Sequence, residues 1–244
     1  MKEKFININN WKIEYVVEGK GEDILFIHGA GMSFRSRILF INSLAKHFRV
    51  WVPSNIGAGK SSRFPRGWRF EDYAKFVKAF VDEFKIKPMI SGHSLGGAIA
   101  IKTKSAFPNS FRNLVLFSSA GIKDKNASKT ISIVVYEKIK AFISRLNADK
   151  RKDTLLNLMY HPLDLIKLID LYRGLDLSGE IQSIGDEVFL FWGKDDEILP
   201  LSNMEVFAGL FQKCRTYVME GSHDFLDFRG DKIVKAIKET LPNV

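Results

Sequence analysis

Gly92-His93-Ser94-Leu95-Gly96-Gly97 puts one hydroxyl at the tip of a turn that follows the apolar run Pro88–Ile90. The spelling is G-x-S-x-G at a strand-to-helix junction, the setting in which a serine is pushed out as a nucleophile. A serine at so sharp a turn is forced into a strained backbone conformation, and side chains two residues to either side would collide with it. Gly92 and Gly96 remove those side chains, and Gly97 lets the following helix pack closely. The turn leaves the Leu95 N–H free at the start of a helix. An incidental serine in a glycine-rich turn spells the same letters, so the motif needs partners.

Three segments supply candidates. His28-Gly29-Ala30-Gly31 follows the apolar run Ile24–Ile27, and its small residues let backbone N–H groups approach a developing oxyanion. The Ala30 and Leu95 amides are the candidate pair. Gly193-Lys194-Asp195-Asp196-Glu197 follows Val188–Trp192, and a carboxylate at a strand end can orient a histidine without taking its proton. Asp195 and Asp196 compete for that role. Glu220-Gly221-Ser222-His223 follows Thr216–Met219 and precedes the last helix, so His223 is placed to take the serine proton and hand it to a leaving group. Of the other histidines, His47 lies in a charged helical stretch, His161 stands next to Pro162, and His93 belongs to the turn itself with its side chain directed away from the nucleophile.

The elements that must position these groups alternate. Phe5–Ile8 and Lys12–Val17 flank Asn9-Asn10 as an antiparallel hairpin. Ile24–Ile27, Phe48–Val52, Pro88–Ser91, Leu114–Phe117, Val188–Trp192 and Thr216–Met219 read as strands. Phe70–Phe84, Ser94–Phe107 and Asp231–Leu241 read as helices, the last with Ile233, Ile237 and Leu241 on one face. Between Gly121 and Ile184 strands vanish, and helical stretches occupy Ser132–Leu146, Asp153–Tyr160 and Pro162–Tyr172. This pattern predicts one α/β domain, a mostly parallel central sheet with helices on both faces, built from residues 1–121 and 185–244. Residues 122–184 form an inserted helical cap over the C-terminal sheet edge, where such folds place ligands.

The order Ser, Asp, His and the elbow spelling resemble the α/β-hydrolase fold, in the capped group of esterases, lipases, carbon–carbon bond hydrolases and cofactor-free haloperoxidases. The resemblance runs from about Ile24 to the C-terminal helix and is weakest across the cap. Members carry the acid at the fourth position of G-x-x-D-x-x-x-P, which here is Asp196, four residues before Pro200. The resemblance thus implies a triad of Ser94, Asp196 and His223. Leu95 after the serine is similar to esterase and lipase elbows rather than to the methionine-bearing ones. One departure stands out. Relatives carry an aspartate at the head of D-x-x-G-x-G-x-S, and this chain has Ser54 there. Gly59-Lys60-Ser61 in the same stretch is not a phosphate loop, because Ser54 stands where that loop needs glycine.

Composition excludes more than it assigns. The 244 residues suit one core. No apolar run reaches the roughly 20 residues of a membrane span, and Met1–Trp11 carries charges but no apolar run of the length expected of a signal peptide. With Cys214 as the single cysteine, a reducing, cytoplasmic setting is expected. The net charge of +9 is spread among acids with no basic stripe, which argues against nucleic acid. No metal-ligand or dinucleotide motif is present, so no cofactor or metal is expected. The expected partner is a small ester of a medium-length, moderately apolar acid, with cap residues such as Ile131, Val134, Phe142 and Leu156 lining part of an acyl pocket, in a monomer or homodimer. The alternatives are carbon–carbon bond hydrolysis or haloperoxidase chemistry on the same scaffold, or a ligand-binding protein without turnover.

Overall fold

In the computed structural model, residues 1–123, 148–172 and 174–240 are described. The predicted helix Ser132–Leu146 and the candidate pocket residues Ile131, Val134 and Phe142 lie outside them.

The chain opens with the expected hairpin. β1 (Lys4–Ile8) pairs antiparallel with β2 (Trp11–Glu18), and Ile8 faces Trp11 across a two-residue turn. Asn9 and Asn10 both adopt positive φ, 49° and 66°, the backbone that a tight hairpin demands and that asparagine tolerates. β3 (Asp23–Ile27), β4 (Arg49–Pro53), β5 (Met89–His93), β6 (Leu114–Phe117), β7 (Val188–Gly193) and β8 (Cys214–Met219) complete an eight-stranded sheet of order β1-β2-β4-β3-β5-β6-β7-β8. From β4 onward in that order all neighbours are parallel.

Burial on both faces explains why the inner strands are continuous apolar runs. Leu25 and Ile27 point into one core with Ile90, Leu116 and Leu190, while Ile24 and Phe26 point into the other with Phe117 and Phe191. Helices α2 (Phe70–Glu83) and α3 (Leu95–Ala106) cover the first face. On the second, α1 (Ile38–Ala45) lies against the C-terminal helix, α8 (Leu226–Thr240), which begins five residues before the expected Asp231. Phe40 from α1 meets Phe26 and Phe117 with ring centroids 5.3 and 5.2 Å away, edge to face.

Between β6 and β7 the described helices are α4 (Ala148–Tyr160), α5 (Asp164–Tyr172) and α6 (Ser178–Ser183), and α7 (Ser202–Leu210) follows β7. The Leu177 N–H donates to the Gly121 carbonyl at 2.7 Å, so the chain leaves and rejoins the body at one point. Leu177, Ile181 and Ile184 already belong to the main core. α1 and α7 carry no signal singled out in the sequence, and His47 falls in the turn after α1 rather than within a helix.

Candidate active site

β5 ends at His93 and α3 starts at Leu95, so Ser94 alone makes the turn, with φ 56° and ψ −121°. A positive φ in a residue with a side chain is a local cost of about 1–3 kcal/mol that surrounding structure must sustain. Here the Ser94 N–H donates to the Phe117 carbonyl (3.1 Å), and its own carbonyl accepts from Ala120 and Gly97 (both 3.0 Å). The glycines work differently from the simple expectation of clearing space around the serine. A Cβ on Gly92 would overlap the Gly96 carbonyl, one on Gly96 would overlap the carbonyl oxygens of Ile27 and His28, and one on Gly97 would meet Ser119. They let β5, α3 and the end of β3 lie backbone to backbone.

That contact brings the candidate oxyanion loop to the serine. Gly29 is so placed that its missing Cβ would lie 3.5 Å from Ser94 Cβ. His28 is buried and fixes the loop: its Nε2 accepts from the Asn55 N–H (2.9 Å), so the proton is on Nδ1, which donates to the Gly29 carbonyl (2.8 Å). Burial holds the His28 pKa below its ordinary value, in keeping with a neutral ring. Ala30, the next residue, is exposed. Among the described residues, neither the Ala30 nor the Leu95 amide has an acceptor in the chain.

Asp196 is buried at the end of β7, and Asp195 beside it is exposed. Asp196 Oδ1 accepts from the Ile198 and Leu199 N–H groups, both at 2.9 Å. Its Oδ2 lies 2.8 Å from Nδ1 of His223, which is also buried. The two loops are tied independently of this pair, since the Lys194 N–H donates to Met219 (2.8 Å) and the Asp195 N–H to Gly221 (3.0 Å). A carboxylate whose second oxygen is taken by two amides has one direction left, and His223 stands in it.

His93 joins the serine turn to the histidine loop. Its ring centroid is 4.6 Å from that of His223. Arg37 only donates, so its contact with His93 Nδ1 (3.2 Å) puts the His93 proton on Nε2, which donates to the His223 carbonyl (3.0 Å). Burial, then the Arg37 charge, holds the His93 pKa well below the ordinary histidine value. Arg37 is itself buried and donates to Asp224 (2.5 Å) and Asp227 (3.1 Å). Lys150 on α4 reaches the same two carboxylates, at 2.8 and 2.5 Å. Burial works to raise the Asp224 pKa, but Arg37 and Lys150 outweigh it and hold it far below the carboxylate range. The expectation that His93 turns away from the nucleophile is therefore only half the matter, because it carries the backbone of His223.

The substitution at Ser54 has a local compensation. Glu14, buried in β2, accepts from Ser54 Oγ and the Lys60 N–H, both at 3.0 Å, and from Arg35 at 2.6 and 3.1 Å. A carboxylate therefore still organises this loop, from a neighbouring strand. Glu14, Arg37, Lys104, Lys150, Asp153 and Asp164 are buried charged groups the sequence did not single out. Glu14 shares β2 with Lys12 and Glu18 and reads as an ordinary polar strand position, and Arg37 meets Asp224 across 187 residues, so neither carries a sequence signal.

Among the described residues, no cluster of three or more metal-ligating side chains occurs and no helix is long and apolar enough to cross a membrane.

Comparison with known proteins agrees with this architecture. The family profile described as the α/β hydrolase fold matches residues 24–137. The dihydrolipoyllysine-residue acetyltransferase component of the acetoin cleaving system of Cupriavidus necator is 28% identical over 224 residues, which cover 83% of this chain and 59% of that longer protein. The 2-hydroxy-6-oxo-6-(2'-aminophenyl)hexa-2,4-dienoic acid hydrolase of Metapseudomonas resinovorans is 26% identical over 241 residues, covering 89% of this chain and 82% of its own. An esterase from Exiguobacterium antarcticum superposes with a TM-score of 0.84 at 20% identity over 97% of this chain and all of that one (100%). A thermophilic esterase from Thermogutta terrifontis gives 0.82 at 19% identity, covering 100% and 99%.

Proposed function

We propose that this chain, which has the α/β-hydrolase fold, is a serine hydrolase that cleaves carboxylic esters through Ser94, His223 and Asp196. The observation that carries the reading is the 2.8 Å contact between Asp196 and His223, on loops following β7 and β8, with the His223 ring 4.6 Å from that of His93, the residue before a serine at φ 56°. Asp196 accepts the Nδ1 proton, which leaves Nε2 of His223 as the base. Ser94 Oγ attacks the ester carbonyl while its proton passes to Nε2, and the oxyanion is met by the Ala30 and Leu95 N–H groups. The intermediate collapses, the alkoxide leaves with the Nε2 proton as the alcohol, and Ser94 is acylated. Water then gives a proton to Nε2 and attacks the acyl carbon, and return of that proton to Ser94 frees the acid.

The insertion expected over residues 122–184, taken only to residue 176 because Leu177, Ile181 and Ile184 pack in the main core, acts with α4 and α5 as the cap of this site, and a moderately apolar acyl group is its substrate. Turnover of p-nitrophenyl butyrate by wild type, with loss of several orders of magnitude in Ser94→Ala, is the expected result. Equal turnover by the two proteins would refute it. A second reading, carbon–carbon bond cleavage, is favoured by the Metapseudomonas hydrolase, similar over 82% of its length. Activity confined to vinylogous diketones in a substrate panel would select it over ester cleavage.

A further inference from the structure

Helix α4 is turned inside out. Lys150, Asp153 and Asn157, with His161 just beyond the helix, form the buried face, and each is bonded to the body of the protein. Lys150 pairs with Asp224 and Asp227. Asp153 accepts from the Ser33 N–H (2.7 Å) and hydroxyl (2.6 Å), and Asn157 accepts from the Gly59 N–H (2.7 Å). His161 bridges the Gly59 carbonyl (2.9 Å) and Asp164 (2.8 Å). The outer face is apolar: Leu155 is 60% exposed, Met159 76% and Leu163, at the turn to α5, 67%, with Leu158 and Tyr160 also exposed. A surface helix ordinarily shows the reverse. Single exposed hydrophobes are commonplace, but five between positions 155 and 163 make a patch that needs an occupant.

The rim of the patch names the chemistry of that occupant. Arg151 and Lys152 are exposed, and with Leu155, Leu158 and Met159 they share one helical face. Arg63 is exposed beside the C-terminus of α4, where its Nε donates to the Tyr160 carbonyl (3.0 Å). Exposed Arg66 lies on the loop that borders a cleft with exposed Lys167 of α5. Asp170, which lines the same cleft, is exposed, and Asp164 is buried against His161. A second copy of the chain is a poor fit, because a self-complementary contact would set this cationic rim against itself.

We propose that the outer face of α4 docks on an anionic phospholipid surface. Its leucines and Met159 enter the boundary between headgroups and acyl chains while the surrounding arginines and lysines meet the phosphates. The net charge of +9 draws the molecule to such a surface from a distance. Docking sets the membrane one helix away from Ser33 and Asp224, which flank the candidate oxyanion loop and His223. The proposal does not depend on ester cleavage.

Flotation of the purified full-length protein with vesicles tests it, using phosphatidylcholine alone or mixed with phosphatidylglycerol, at about 0.1 M salt. Wild type is expected to float with the anionic vesicles only. The double variant Leu155→Glu/Met159→Glu loses that binding about tenfold or more. Lys152→Glu/Lys167→Glu weakens it several-fold, and Lys235→Glu, exposed on α8, leaves it unchanged. Failure to float, or equal flotation by Leu155→Glu/Met159→Glu, would overturn the proposal. So would light scattering showing a dimer that the same variant dissolves, or a fall of several degrees in its melting temperature, since the face would then be covered by protein.

Discussion

Replacing Arg37 by methionine tests whether the buried network behind His223 holds the fold together. Arg37 and Lys150 carry two positive charges, and Asp224 and Asp227 two negative ones, so the cluster is neutral. Methionine keeps most of the volume and leaves one buried carboxylate charge without a counterion. Removing one partner of a buried pair costs about 3–5 kcal/mol. For a chain of this size each kcal/mol corresponds to about 2–4 °C, so the melting temperature should fall by roughly 6–20 °C. Arg37→Lys keeps the charge but not the fork that spans Asp224, Asp227 and His93, and should lose about 1–2 kcal/mol. Thermal unfolding followed by circular dichroism at pH 7.5, with urea titrations in parallel, reads both. A methionine variant melting within about 2 °C of wild type would mean that Asp224 and Asp227 are solvated or satisfied without Arg37, and the network would not have the role assigned to it.

Four further outcomes follow. Asp196→Asn should lower kcat for p-nitrophenyl butyrate by about four orders of magnitude, as expected when the histidine is held in the wrong tautomer, whereas Asp195→Asn stays within about twofold. Gly96→Ala should abolish soluble expression or cost at least about 3 kcal/mol, because its Cβ would overlap the fixed carbonyl oxygens of Ile27 and His28; Gly179→Ala, with open space around it, is the control for yield and melting temperature. Ser54→Asp, which restores the residue usual in relatives, should destabilise this chain by about 2–4 kcal/mol in urea unfolding, because the new carboxylate meets buried Glu14. His28 and His93 have folded pKa values below the unfolded one, so the unfolded state binds more protons; stability present above about pH 6.5 is lost as pH falls below it, and His93→Gln should flatten that slope in melting temperature against pH.

The sheet was legible because buried parallel strands are unbroken apolar runs: Ile24–Ile27 and Val188–Trp192 need no partner to be recognised. The hairpin was legible through Asn9-Asn10, whose side chains tolerate the left-handed backbone. The serine turn could be read from its glycines, though the reason for them could not, since the crowding lies between backbones of different elements. The ion cluster was opaque for the same reason: a charged residue announces solvent until its partner is known, and the partners of Arg37 lie 187 and 190 residues away. Helix α4 is the sharpest case. Apolar residues in a helical stretch ordinarily mark the inner face and suggested an acyl pocket. Leu156 is half-buried, but Leu155, Leu158 and Met159 face outward, because Lys150, Asp153 and Asn157 find specific partners within.

Labelling with a fluorophosphonate probe, followed by mass spectrometry of the intact protein and its peptides, tests the nucleophile most directly. An activated serine is expected to be modified once, at Ser94, in the folded wild type. Ser94→Ala should take no label, and His223→Ala should be slowed by several orders of magnitude. No label on folded wild-type protein, or label that persists in Ser94→Ala, would contradict the assignment of Ser94 as the nucleophile.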